Sequence, residues 1–271
     1  MPELPEVETS CRGITPYLLH QTITKIVIRQ PRLRWPVPAE LSELLPGECI
    51  QAIRRRGKYI IITTAKGSLL LHLGMSGRVC IVDAQLAPQK HDHIDLILGS
   101  GECLRLTDPR RFGCCLWTSD LAERHSLLKN LGPEPLTPDF NADYLYAKAK
   151  NRQLAVKLFI MDSKIVVGVG NIYANEALFQ AGIDPRTPAR AISKARYTTL
   201  CALIKEILAA AIKLGGTTLR DFQQSDGSPG YFQQSLNVYG RKGLACKQCK
   251  TTLEEVRLGQ RSTVFCKQCQ Q

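Results

Sequence analysis

Two stretches of the chain carry residues able to do chemistry at a spacing that suits it. The first is the opening, Met1-Pro2-Glu3-Leu4-Pro5-Glu6-Val7-Glu8-Thr9. A small residue after the initiator favours removal of Met1, which makes the Pro2 nitrogen a free secondary amine. An α-amino group titrates near ~8, against ~10.4 for a lysine side chain, so more of it is unprotonated at neutral pH. Such amines attack carbonyl-like carbons to give Schiff bases. Glu3 and Glu6 stand one and four residues further on, where an acid–base partner is wanted. Glutamate is also what the first turn of any helix favours, so on these residues alone both readings stand.

The second stretch pairs Cys246-Lys247-Gln248-Cys249 with Cys266-Lys267-Gln268-Cys269, sixteen residues apart. Two CxxC knuckles at this spacing bring four thiolates to one tetrahedral zinc ion. A redox dithiol pair is the alternative. Four protein ligands leave no open position, so such a zinc is structural rather than catalytic. The intervening residues read as a β-hairpin around Gly259-Gln260-Arg261. Arg261 at its tip is either a phosphate ligand or a solvated turn residue.

Weaker motifs lie between. Gly168-Val169-Gly170-Asn171 opens a helical pattern, with Asn171 a candidate N-cap and the glycines open to a phosphate. No dinucleotide fingerprint or βαβ unit accompanies it, which disfavours a nucleotide cofactor. Arg54-Arg55-Arg56-Gly57-Lys58 is a basic run, either a solvated face or a phosphate contact. His72-Leu73-Gly74-Met75-Ser76-Gly77 and Asp108-Pro109-Arg110-Arg111-Phe112-Gly113 read as turns. Apolar groups beside arginine can wedge into a base stack, although spacing alone favours Met75 and Phe112 as core residues.

These groups need elements to hold them. Leu4, Val7, Cys11, Ile14 and Leu18 step by three and four, predicting an amphipathic helix over 3–20 with Pro5 tolerated in its first turn. Short β-type runs follow at 23–28, 59–63, 69–73, 79–82, 94–98, 103–106 and 114–117, the pattern of an antiparallel sandwich or barrel. Three prolines in 133–138 make a stiff connector, where the domain boundary is expected. Helical periods then cover 141–150, 153–161, 171–180 and 191–214, followed by a long Gly-, Gln- and Ser-rich loop to 243.

Composition narrows the function classes. Of 271 residues 36 are Lys or Arg and 24 Asp or Glu, a net +12 that suits a polyanionic partner such as nucleic acid. No apolar run reaches the ~18–20 residues of a membrane span, and the acidic, proline-containing start does not read as a secretory signal. A cytosolic chain is expected. Its eleven cysteines are then not a disulfide framework, and the seven outside the CxxC pairs are expected as small buried hydrophobes.

Taken together, the chain resembles the bacterial formamidopyrimidine-DNA glycosylase family. The resemblance runs in order through Pro2-Glu3-Leu4-Pro5-Glu6-Val7-Glu8, Arg56-Gly57-Lys58, the His72 and Asp108 turns, Lys90-His91-Asp92-His93, Gly132-Pro133-Glu134-Pro135, Val167-Gly168-Val169-Gly170-Asn171-Ile172-Tyr173, Gly215-Gly216-Thr217-Thr218, Asp226-Gly227, Pro229-Gly230-Tyr231, Val238-Tyr239-Gly240-Arg241 and the four cysteines. It implies an α+β fold: an N-terminal helix plus antiparallel β-sandwich, then a helical domain with a helix–two-turns–helix motif and a C-terminal β-hairpin zinc finger. The implied divisions are 2–131, a hinge at 132–138, 139–236 and 237–271, with DNA in a cleft between the domains.

The implied activity is base-excision repair. A bifunctional glycosylase and lyase removes 8-oxoguanine and formamidopyrimidines from duplex DNA, then cuts the strand by β,δ-elimination. On this resemblance Pro2 is the nucleophile, Glu3 the acid–base residue and Glu6 a site-orienting carboxylate. Lys58 and Arg261 are proton donors or phosphate ligands. His72, His91, Lys157, Asn171 and Tyr239 contact DNA or the lesion. Met75, Arg110 and Phe112 fill the gap left by the flipped nucleotide, and a loop over 217–235 covers the everted base. Cys246, Cys249, Cys266 and Cys269 hold one zinc. A monomeric, cytoplasmic bacterial protein associated with the nucleoid is implied, its partner damaged duplex DNA and not a membrane. The nearest alternative is an endonuclease VIII-type glycosylase for oxidised pyrimidines. Leu4 and the Met75/Arg110/Phe112 trio favour the purine branch. A non-catalytic zinc-ribbon nucleic-acid-binding protein would explain charge and cysteines but not Pro2-Glu3.

Overall fold

The computed structural model describes residues 2–216 and 236–271. The expected capping loop, 217–235, lies outside the described residues.

Helix α1 (Leu4–Leu18) buries the stripe its sequence predicts: Leu4, Val7, Cys11, Ile14 and Leu18 are all at most 6% exposed. Seven further strands follow β1 (Ile23–Ile28): β2 (Ala52–Arg56), β3 (Tyr59–Thr63), β4 (Ser68–His72), β5 (Arg78–Asp83), β6 (Asp92–Leu98), β7 (Glu102–Thr107) and β8 (Cys114–Thr118), with a one-turn helix α2 (Leu41–Leu44) between β1 and β2. They form two antiparallel four-stranded sheets, ordered β1-β6-β7-β5 and β2-β3-β4-β8. One apolar core joins both sheets to α1, with Ile60, Ile62, Leu69 and Leu71 from one sheet and Ile94, Leu96, Leu104 and Leu106 from the other. At ~1.5–3 kcal/mol per buried aliphatic side chain, this core gives the region its rigidity.

Strand β2 is not among the expected strands, because its three consecutive arginines hide the pattern. Pairing and ion pairs override propensity there: Arg55 bonds Glu8 on α1 at 2.7 Å and Arg54 bonds Glu123 at 2.6 Å. Burial resists ionisation of Glu8, yet hydrogen bonds from Arg55 and Arg12 hold its carboxyl below the usual range.

The second unit is helical: α3 (Ala142–Ala149), α4 (Val156–Met161), α5 (Asn171–Gln180) and α6 (Lys194–Lys213), closed by the hairpin of β9 (Glu254–Leu258) and β10 (Arg261–Phe265). Turns over 162–170 join α4 to α5, the helix–two-turns–helix arrangement. Helix α4 starts later than the period predicts because Ala155 bridges Pro188 in an extended conformation. Helix α6 starts later because 189–191 form a separate 3-10 turn. The described residues thus group as 2–130 with 214–216, and 131–213 with 236–271. No helix among the described residues is long and apolar enough to cross a membrane. Five of the seven other cysteines are buried as expected, but Cys80 is half-buried and Cys49 is exposed at the chain reversal before β2.

Candidate active site and nucleic-acid interface

At the start of α1, Pro2 is buried and the Glu3 and Glu6 side chains are each 2% exposed. The Glu6 carboxylate reaches back three residues and accepts from the Glu3 backbone N–H at 2.8 Å, the reciprocal logic of a capping box. Glu6 is therefore fixed. Gly216, in the left-handed region at φ +82, lies so close that a Cβ would come within 3.1 Å of the Glu6 carboxylate. A side chain there would push on the residue that holds the helix start.

Strands β2 and β3 meet at the two-residue turn Gly57-Lys58, which carries the Lys58 ammonium at its tip. The next hairpin places His72 opposite Tyr59, with ring centroids 4.8 Å apart. Burial, then the positive charges of Lys58 and Arg34, push the His72 imidazole down to about 4. It is neutral at physiological pH. Its Nδ1 accepts from the Gly74 N–H at 2.9 Å, which leaves the proton on Nε2 as a donor.

Met75 and Phe112 are not core residues as spacing alone suggested. Phe112 is 44% exposed and Met75 is half-buried in the β4–β5 turn. The Arg110 guanidinium lies 4.8 Å from the Phe112 ring centroid, so arginine and aromatic form one exposed pair. His91 is half-buried just before a β-bulge at Asp92/Ile94, and its carbonyl accepts from Asp108 N–H at 3.0 Å.

In the second unit Asn171 is not the N-cap. Gly170 holds that position and Asn171 is the first helical residue. Its side-chain amide instead donates to the Ser262 carbonyl at 3.0 Å. Lys157 converges on the same carbonyl at 2.9 Å and on the Thr263 hydroxyl at 2.6 Å. Lys157, expected as a DNA contact, is instead a link within the second unit. Its side chain is 0% exposed, and its ammonium ties α4 to the hairpin rather than facing a phosphate. Arg261, by contrast, is exposed and opens β10 after the two-residue turn Gly259-Gln260, beside the carbonyl that Lys157 and Asn171 hold.

Sequence reading missed Glu176. This carboxylate on α5 is 1% exposed and accepts from the backbone N–H groups of Asn237, Val238 and Tyr239 at 2.8–2.9 Å, and from the Asn237 amide. It fixes the backbone that carries Tyr239. Its neighbour Asn175 accepts from Val264 N–H at 3.1 Å. Both partners lie more than sixty residues away in sequence, so no local pattern could reveal them.

The thiols of Cys246, Cys249, Cys266 and Cys269 all lie within 4.8 Å of one another. A tetrahedron of ~2.3 Å Zn–S bonds has edges of about 3.8 Å. The Cys246–Cys269 and Cys249–Cys266 separations of 3.9 and 3.4 Å match those edges, so the residues fit one zinc ion.

The chain matches known proteins along its length. Residues 1–115 match the family model of the formamidopyrimidine-DNA glycosylase N-terminal domain, 131–223 that of its H2TH domain, and 243–271 a zinc finger found in FPG and IleRS. The chain is 57% identical over 270 residues to the formamidopyrimidine-DNA glycosylase of Stutzerimonas stutzeri and 55% over 271 to that of Alteromonas mediterranea, covering 100% of both chains each time. It is similar to wild-type Lactococcus lactis Fpg (MutM) in complex with N7-benzyl-Fapy-dG-containing DNA, with TM-score 0.92, 34% identity and 100% of both chains covered. It is also similar to the Lactococcus lactis complex with DNA containing an abasic site, with TM-score 0.92, 34% identity and 99% of both covered.

Proposed function

The chain belongs to the formamidopyrimidine-DNA glycosylase family, and from that premise we propose that Pro2 excises oxidised purines from duplex DNA and then opens the strand. The observation that carries this reading is the buried Pro2 at the start of α1, beside two carboxylates that the fold holds in place. After loss of Met1, the positive end of the helix dipole favours the neutral, attacking form of the amine.

The Pro2 nitrogen attacks C1′ of the damaged nucleotide. The N–C1′ bond forms, the glycosidic bond breaks, and the base leaves with the proton that the Pro2 nitrogen gives up. Glu3 protonates the ring oxygen as the sugar opens, giving an iminium on Pro2. That cation makes the 2′ carbon acidic, so loss of a 2′ proton expels the 3′ phosphate and a second elimination expels the 5′ phosphate. Water then releases Pro2. Glu6 orients the helix start; Lys58 and Arg261 supply protons or hold phosphates; neutral His72 offers its Nε2–H to a phosphate oxygen.

Flipping the nucleotide costs a few kcal/mol of stacking and pairing. Met75, Arg110 and Phe112 offset this by filling the gap, with His91, Asn171 and Tyr239 as further DNA contacts. The four cysteines hold a structural zinc that keeps Arg261 in place and takes no part in the chemistry. We place the hinge at 132–138 between domains 2–131 and 139–236, the zinc finger at 237–271, and the protein in the cytoplasm on chromosomal DNA.

Borohydride reduction tests the reading. The wild-type protein, its N-terminal mass showing loss of Met1, is expected to be trapped on duplexes carrying 8-oxoguanine and on abasic duplexes. Pro2→Gly is expected to lose most of that trapping. Absence of wild-type trapping on both substrates overturns the proposal.

A further inference from the structure

Asp108 is fully buried, and nothing in the chemistry above requires a carboxylate there. Its Oδ2 accepts from the Gly113 N–H at 2.7 Å and its Oδ1 from the Ser76 hydroxyl at 3.4 Å. Its own N–H donates to the His91 carbonyl at 3.0 Å, while its carbonyl accepts from His93 Nε2 at 2.8 Å and from Arg111 N–H at 3.2 Å. One residue therefore ties together the turn that carries Met75, the loop that carries Arg110 and Phe112, and the chain around His91.

Packing makes the same junction tight. Gly74 sits at φ +62, and a Cβ on it would come within 2.5 Å of the Gly113 nitrogen. A Cβ on Gly113 would lie 3.0 Å from Asp108 Oδ2 itself. No side chain separates the two turns: backbone lies on backbone, and the Asp108 carboxylate bridges them from beneath.

We propose that Asp108 is a positioning residue that locks the Met75 turn and the Arg110–Phe112 loop into one preassembled wedge. This rests on the reading of Met75, Arg110 and Phe112 as the gap-filling trio. A wedge that must enter a base stack gains from arriving already ordered, because ordering its side chains during insertion would subtract from the binding energy. Touching no DNA itself, Asp108 acts through the three residues it presents. Its loss should therefore weigh on duplex substrates, where a gap has to be filled, far more than on a single strand, where none exists.

The test compares Asp108→Ala, Asp108→Asn and wild type by borohydride trapping on abasic DNA, as a duplex opposite cytosine and as the single strand. The amide of Asn can still accept from Gly113 N–H and pair with the Ser76 hydroxyl. For Asp108→Ala the duplex-to-single-strand ratio of trapping rates is expected to fall at least tenfold, and Asp108→Asn to restore it to within about threefold of wild type. An unchanged ratio for Asp108→Ala, whether both rates fall together or neither falls, overturns the proposal. So does an Asn variant as impaired as Ala. Failure of the wild type itself to trap on either DNA would instead remove the glycosylase–lyase reading, so the two failures are distinguishable. If Asp108→Ala does not fold, Ser76→Ala, which cuts only the bridge between the turns, takes its place with the same expected direction and the same overturning result.

Discussion

Helix α1 from Val7 onward shares a described core of 23 buried apolar residues with both sheets, α2 and the connecting loops, whereas the zinc hairpin has a described core of six, two of them Cys246 and Cys266. Polar links differ too. At the start of α1 Glu6 sets a local geometry by accepting from the Glu3 N–H, and further along the helix Glu8 pairs with Arg55 of β2. At the hairpin they are long-range and replace the missing core: Glu176 holds 237–239, Asn175 holds Val264, and Lys157 and Asn171 hold Ser262. On the proposed function, chemistry is separated from stability at one region and joined to it at the other. A single substitution at α1 should remove reaction without unfolding, while one at the hairpin should loosen structure and, through it, DNA binding.

The largest effect should come from Pro2→Gly. Excision of 8-oxoguanine in single-turnover kinetics is expected to fall at least a hundredfold, about 3 kcal/mol of barrier, with the melting temperature within a degree or two of wild type. A matching loss of thermal stability would erase the contrast. Next comes zinc. Because metal binding at four thiolates is folding free energy, chelation or Cys266→Ser should unfold the hairpin and weaken binding to lesion duplex by at least tenfold in a filter or anisotropy assay. Hydrogen exchange of the two sheets should stay unchanged; loosening of the sheets as well would show that the regions are not independent.

Glu176→Gln should be smaller. It turns an acceptor-only group into one with an N–H facing backbone N–H donors, at a cost of ~1–3 kcal/mol, read as faster exchange of the amides of 237–239. Unaltered exchange would deny Glu176 its part in holding Tyr239. A last effect concerns His72. The unfolded chain takes up its proton near pH 6.5 and the folded one only near 4. Folding stability therefore falls as pH drops through that window. His72→Gln, which takes up no proton, should flatten the fall in denaturant midpoint between pH 6.5 and 4.

Legibility in the sequence followed the range of the interactions. Helix α1 could be read because its stripe is local, and the zinc because four cysteines at CxxC spacing leave few alternatives. Strand β2 could not, since Arg54 and Arg55 pair with Glu123 and Glu8, distant in sequence. Lys157 shows the converse: matched by resemblance to a DNA contact, it is buried on the hairpin because Ser262 and Thr263, more than a hundred residues on, supply its partners. Asn171 is likewise not the N-cap: Gly170 holds that place, and the Asn171 amide donates to Ser262, ninety-one residues on. Asp108 and Glu176 are buried carboxylates with partners distant in sequence, Ser76 for the one and 237–239 for the other, and a single sequence gives no sign of either.

The central claim is that the nucleophile is the Pro2 nitrogen, held at the start of α1. It is tested most directly by mapping the covalent adduct after borohydride reduction on abasic duplex, with peptide mass spectrometry of the digest. A single modified peptide is expected, beginning at Pro2 and carrying the sugar remnant on its N-terminal nitrogen. An adduct on Lys58, or on any other lysine while the Pro2 peptide is unmodified, would contradict it.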